Sequence, residues 1–256
     1  MSNKLDGFPH VYYINMDSNV ARNQHVQQHL VSYGIGSFER SPGVIGTNEE
    51  ILKYISNQDY INWAAANHVP VAALGCTVAH LLAVKKFAES NYEVAVICED
   101  DIDLSLTKYW NFSWKEMYDL LPDDWQTVQL SRSYMDHLLM NMAQLKIRRW
   151  GFYEYSTVAY MMKKEMAIAM TDFYFTQGNL ARGVLRGSFK PISDGVQYAF
   201  SKEGVYSLNL MYSNNGRVSS SNIHTNHEPM VQVGMDILKN AWENNKLTVE
   251  QIMELK

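Results

Sequence analysis

Cysteine is scarce in this chain, with only Cys76 and Cys98 in 256 residues. Both lie inside apolar stretches, so the sequence has neither a disulfide framework nor a Cys-rich zinc motif, and a reducing, cytoplasmic setting is expected. Basic residues are not in excess either. Lys and Arg number 22 against 27 Asp and Glu, a formal charge of −5, which leaves little to neutralise a phosphate backbone and argues against a nucleic-acid partner. The first residues lack the apolar segment of a secretory signal, and no apolar run reaches bilayer-spanning length, so a soluble chain with no membrane span is expected. Internal repeats, low-complexity tracts and Gly/Ser linkers are also missing. One domain, residues 1–234, with a helical tail over 235–256, is the expected organisation.

What is present suits a large core: 46% of residues are hydrophobic, 19% charged and 12% aromatic. Aromatic residues offer stacking faces for sugars or bases, yet in most folds they are core, and Trp63, Trp125 and Trp150 are left unassigned for that reason. Residues 10–16 form a β-rich run, followed by the helix-capping types Asp17 and Ser18 and a polar segment ending at Gly34, which predicts strand, loop and helix. A strand over 37–40 and a Thr47–Glu50 capping box come next. Between Gly75 and Glu89, Val78, Leu81, Leu82, Val84 and Phe87 recur at near-helical spacing. The unbroken run Val94–Cys98 then predicts a strand buried on both faces, as in the centre of a parallel sheet. With Thr127–Leu130 as a further strand, the first half alternates as an α/β fold does. Later, strands at 145–149 and 157–162 and helices at 164–175 and 194–200 are expected. Thr248 and Gln251 form a second capping box in the tail.

The residues that carry most chemistry follow Cys98 directly: Glu99, Asp100, Asp101 and Asp103. Crowded carboxylates repel one another and persist where a cation or basic ligand neutralises them, and ligands of α/β sheets bind at the carboxyl ends of strands. Oxygen-only donors favour Mg²⁺, Mn²⁺ or Ca²⁺ over zinc. The competing reading is a solvated acidic turn in which Asp103 caps the next segment.

Four segments in order, Ile14-Asn15-Met16-Asp17 with Arg22, Gly75-Cys76-Thr77-Val78-Ala79-His80, Glu99-Asp100-Asp101 and Thr157 to Lys163, resemble glycosyltransferase family 25. Lys190-Pro191-Ile192-Ser193-Asp194 is similar to that family's later Pro-Val-Asp motif. The family includes lipopolysaccharide β-galactosyltransferases and collagen hydroxylysine galactosyltransferases. The resemblance spans about residues 10–230 and implies a GT-A type fold, a single Rossmann-like α/β domain with a mixed, mostly parallel sheet. It also implies inverting transfer of a hexose, galactose or glucose, from a UDP-sugar, with Mn²⁺ or Mg²⁺ at the acidic motif and a glycan or hydroxylysine-type hydroxyl as acceptor. Ala72-Ala73, Ala79 and Ser18 depart from the family pattern, which leaves donor identity and the role of His80 open.

Under that resemblance Asp101 is the expected direct metal ligand and Asp103 a second or water-mediated one. Glu99 and Asp100 lie near the donor ribose or the metal, and Ile14, Asn15 and Asp17 near the base, with Arg22 close by. Asn15 and Asp17 equally suit turn and cap roles. Gly75 and His80 belong to a helix whose first free amides would face the phosphates; a lone His on an apolar helix is otherwise a hydrogen-bonded core residue. Asp194 is the expected base, with an N-cap role as the competing explanation. His224 or Asn222, in a Ser-Ser-Ile-like segment, would complete the metal shell. His25 and His29, one helical turn apart, fit a solvated polar face better than a metal pair. A phosphoryl-transfer hydrolase and an inactive carbohydrate-binding relative are the alternatives; the negative charge opposes a nuclease, and retention of both Asp101 and Asp194 opposes the inactive relative.

Overall fold

The structure is a computed structural model that describes residues 4–55, 58–133, 136–151, 154–176, 179–180, 192–201, 203–213 and 228–255. Strand β1 (His10–Asn15) pairs in parallel with β2 (Phe38–Pro42) on one side and β3 (Val94–Glu99) on the other. Helix α1 (Val20–Ser32) carries the chain from β1 to β2. Helices α2 (Asn48–Leu52), α3 (Gln58–Ala66) and α4 (Val71–Ala88) carry it from β2 to β3.

Beyond β3 the sheet becomes mixed. Strand β7 (Ala159–Lys163) runs antiparallel to β3 and to β5 (Thr127–Gln129), β10 (Val205–Ser207) is parallel to β5, and β6 (Arg148–Arg149) closes the edge antiparallel to β10. Among the described residues the order β2-β1-β3-β7-β5-β10-β6 makes a sheet of seven strands. The central position expected for β3 is observed, but only one of its two neighbours is parallel, because the chain returns through β7 as the reverse strand. Separate antiparallel pairs join β4 (Ile102–Asp103) to β11 (Tyr212–Ser213), beside the carboxyl end of β3, and β8 (Phe175–Thr176) to β9 (Asn179–Leu180).

Alternation along the central strands makes two cores. Val11, Tyr13, Val96, Cys98 and Met161 face α1 and the C-terminal segment, while Tyr12, Ala95, Ile97, Tyr160 and Met162 face α4 and α6 (Lys164–Tyr174). Successive side chains of a strand point to opposite faces, so the unbroken apolar run of β3 feeds both. Helix α4 has 18 residues, starts at Val71 rather than near Gly75, and is long and apolar enough to cross a membrane by length and composition. This corrects the expectation that no run is long enough. Leu74, Val78, Leu81, Val84 and Phe87 are buried, so α4 is the core helix of the second face, packed against the sheet and against α6.

The C-terminal segment is part of the core. Helix α8 (Glu228–Asn244) starts before the expected boundary at 235, and its Leu238, Ala241 and Trp242 join Val249, Ile252 and Met253 of α9 (Val249–Met253) against the first face. The capping box of Thr248 and Gln251 is complete. That of Thr47 and Glu50 is half-made: Thr47 Oγ1 accepts from Glu50 N at 3.3 Å, while the Glu50 carboxylate takes Lys53 Nζ at 2.6 Å. The expected strand at 145–149 shortens to β6, and the two expected helices are α6 and α7 (Ser193–Tyr198). Helix α5 (Trp114–Asp119) is capped by a Ser113–Glu116 box, a local signature of the same kind as that at Thr248.

Candidate active site

From β1, one crossover leads to β2 on its left and the next to β3 on its right. Such a reversal opens a crevice at the carboxyl ends of the strands. A cavity of about 470 Å³ occupies that place, lined by Ile14, Asn15 and Met16 after β1, the loop Gly43–Gly46 after β2, and Glu99, Asp100 and Asp101 at the end of β3. Ala72, Cys76, Ala79 and His80 supply one face of α4, and Ser18 and Arg22 complete the wall. Two glycines allow loop and helix to touch. A Cβ on Gly46 would lie 2.4 Å from Ala72 Cα, and one on Gly75 would lie 2.6 Å from the Val44 carbonyl oxygen.

The acidic residues are held apart by different partners. Asp100 forms a buried ion pair with Arg22 and accepts from Asn15 Nδ2 at 2.6 Å. Asn15 is itself oriented by Arg40 Nε, 3.1 Å from its Oδ1. Asp101 accepts from Ser213 Oγ at 2.7 Å through Oδ2 and lies 3.6 Å from Arg22, but its buried Oδ1 has no hydrogen-bond partner among the described residues. Burial first, and then the charge of Glu99, push the Asp101 carboxyl up to about 7. Burial alone would also raise Glu99; contact with His80, Arg22 and Thr157 outweighs it and holds that carboxyl below its usual range. A desolvated carboxylate oxygen without a donor is costly, and a cation relieves that cost. Oxygen donors of this kind suit Mn²⁺ or Mg²⁺, so the residues present fit such an ion.

Asp194 lies in the first turn of α7, whose N-cap is Ile192. Its Oδ1 accepts the backbone N–H of Ser156, and burial pushes its carboxyl up to about 6, with that hydrogen bond opposing the rise. Helix α7 packs on α4, and its Val196 and Tyr198 join the α4 core, which places Asp194 on the α4 side of the sheet, though not among the residues that line the cavity.

The family described as Glycosyltransferase family 25 (LPS biosynthesis protein) matches residues 8–189. The chain belongs to glycosyltransferase family 25. No curated protein matches the sequence. One solved structure, titled Crystal Structure of A197 from STIV, is similar over 84% of this chain and 95% of that chain at 10% identity and a TM-score of 0.38, too slight a likeness to carry an argument.

In this family 25 chain the expected donor residues Ile14, Asn15, Arg22, His80, Glu99 and Asp100 do meet at one cavity, with Asp101 among them. Three others have different places. Asp103 is buried but turned away: its oxygens accept from Ser105 N at 2.6 Å and Tyr212 O–H at 3.1 Å, tying β4 to β11 and the turn that follows. It is the turn residue of the competing reading, although buried rather than solvated. Asp17 is exposed and pairs with Arg40. Gly75 lies inside α4 against the Val44 carbonyl, so its amide is not one of the helix's free N–H groups. His224, Asn222 and Lys190-Pro191 lie outside the described residues. The N-cap explanation of Asp194 is not met, since its carboxylate reaches across to Ser156 instead.

Several residues of the site carried no local signal. Arg40, Ser213, Tyr160 and Ser193 act through contacts made 25 or more positions away. Thr157, Tyr160 and Ser193 fall inside segments quoted for the resemblance, and only those segments point to them.

Proposed function

We propose that this chain is a metal-dependent, inverting hexosyltransferase of GT-A type. It transfers galactose or glucose from a UDP-sugar to a hydroxyl of a glycan or hydroxylysine-like acceptor, in a reducing cytoplasmic setting. The observation that carries the reading is the buried Oδ1 of Asp101, unpartnered among the described residues, in a cavity at the strand-order reversal within a family 25 chain. The two free thiols fit the compartment.

Asn15, fixed by Arg40, and the Gly43–Gly46 loop form the end of the cavity that receives the nucleoside. Arg22 neutralises Asp100 and orients Asp101, whose free oxygen is the ligand for the cation; Ser213 fixes the other oxygen. When bound, Mn²⁺ or Mg²⁺ supplies positive charge for the diphosphate leaving group. Asp194, held by Ser156 N–H, takes the proton of the acceptor hydroxyl as that oxygen attacks the anomeric carbon from the face opposite UDP. A carboxyl raised to about 6 is a stronger base than an ordinary Asp and is still ionised at neutral pH.

The test is a donor screen that measures UDP release from UDP-galactose and UDP-glucose, with saccharide acceptors, in Mn²⁺ and in EDTA. Metal-dependent release stimulated by acceptor is expected. Release that is equal in EDTA excludes the cation from the reaction.

A further inference from the structure

The inner wall of the cavity holds a second set of donor atoms, built from Cys76 together with His80 and Glu99, which the resemblance places near the sugar donor. Cys76 Sγ, His80 and a Glu99 oxygen lie within 4.8 Å of one another, on α4 and the end of β3. His80 is fully buried and its Nδ1 faces Tyr160 O–H at 3.3 Å. Its Nε2 has no hydrogen-bond partner among the described residues and stands 3.6 Å from Glu99 Oε1. With the ring proton on Nδ1, Nε2 presents its lone pair towards Glu99, and one cation between them can bond both groups.

Each of the three groups also has an outer partner. Tyr160 orients the imidazole, Thr157 Oγ1 contacts Glu99 Oε1 at 3.3 Å, and Ser193 Oγ links Thr157 at 3.2 Å to the Cys76 thiol at 3.8 Å. Outer hydrogen bonds of this kind fix the tautomer and direction of metal ligands. A sulfur, a nitrogen and an oxygen donor together suit Zn²⁺ rather than Mg²⁺ or Mn²⁺. Zinc bonds of about 2.0–2.3 Å in a tetrahedron put ligand atoms roughly 3.3–3.8 Å apart, so about an ångström of closure completes the set.

We propose that Cys76, His80 and Glu99 form a binding site for a thiophilic divalent cation of the Zn²⁺ class, separate from the Asp101 oxygen and with its fourth position open to the cavity. On binding, the Cys76 S–H bond breaks, the thiolate sulfur bonds to the ion and one proton passes to solvent; His80 joins as neutral imidazole and Glu99 as carboxylate. No electron transfer is involved. Cys98 cannot substitute, because it is buried in the other core, on the opposite face of the sheet.

The site is tested on the full chain without any sugar donor, so its failure is distinct from failure of the transferase reading. Stoichiometric Co²⁺ is expected to produce a thiolate-to-metal absorption band that Zn²⁺ abolishes and Mg²⁺ does not, with the band lost in Cys76→Ser and retained in Cys98→Ser. Should the variants not fold, thiol alkylation of the wild-type chain decides: Zn²⁺ is expected to protect Cys76 where Mg²⁺ does not. A folded wild type with no cobalt band, a band that survives in Cys76→Ser, or Cys76 alkylation unaffected by Zn²⁺ overturns the proposal.

Discussion

Replacing Asp194 with Asn separates its proposed chemistry from its packing. The amide keeps an oxygen for the Ser156 N–H but cannot take a proton from the acceptor. Burial is the main cause that raises the carboxyl from 3.8 to about 6, so between those values the folded chain binds a proton that the unfolded chain has released. The stability contributed by this group is therefore present below pH 3.8 and lost as pH rises through about 6. Two units correspond to about 3 kcal/mol, and the partial access of this side chain to solvent reduces that to about 2 kcal/mol. Asp194→Asn, neutral at every pH, should melt about 4–8 °C above wild type at pH 7.5. The gap should close towards pH 4, as the wild-type carboxyl becomes neutral too. Over the same range wild-type transfer should rise with pH through about 6, and the variant should transfer at about a hundredth of the wild-type rate or less. Melting curves at both pH values and initial rates on a working acceptor are the assays. A variant that transfers within a few-fold of wild type refutes the base assignment, and equal melting temperatures at pH 7.5 refute the desolvation argument.

Asp101→Asn should fold and lose cation-dependent UDP binding, whereas Asp103→Ala should cost about 1–3 kcal/mol in urea unfolding with UDP affinity intact, because Ser105 N and Tyr212 O–H lose their acceptor. Arg22→Leu should cost about 3–5 kcal/mol by leaving buried Asp100 without its cation, read by denaturant melts at pH 7.5. Gly75→Ala should destabilise by about 1–3 kcal/mol, since its Cβ would lie 2.6 Å from a backbone oxygen, and unchanged stability would show that α4 can retreat from the loop.

The sequence showed most clearly what depends on local pattern. The β1–α1–β2 unit, the apolar run of β3 and the capping box at Thr248 follow from alternation, periodicity and cap chemistry, which act over a few residues. The antiparallel insertion of β7 between β3 and β5 did not, because pairing direction is set by contacts between residues 31 to 69 positions apart along the chain. Position also misled where burial decides. Asp103 and Asp101 are two residues apart, yet Tyr212 and Ser105 occupy one while the other keeps a free oxygen in the cavity. The start of α4 was placed late because Val71, Ala72 and Ala73 are apolar on all sides and show no helical stripe. Asp194 was legible only through a family motif, since nothing local reveals that its partner is Ser156.

The central claim, that Asp101 holds a cation for a nucleotide donor, is tested most directly by titrating UDP into the wild-type chain with Mn²⁺ and again with EDTA, following the melting temperature. Ligand at a hundred times its Kd stabilises the folded state by about 2.7 kcal/mol, which for a chain of this size shifts melting by roughly 5–11 °C. The account predicts that shift with Mn²⁺ and none with EDTA. An equal shift in both contradicts it.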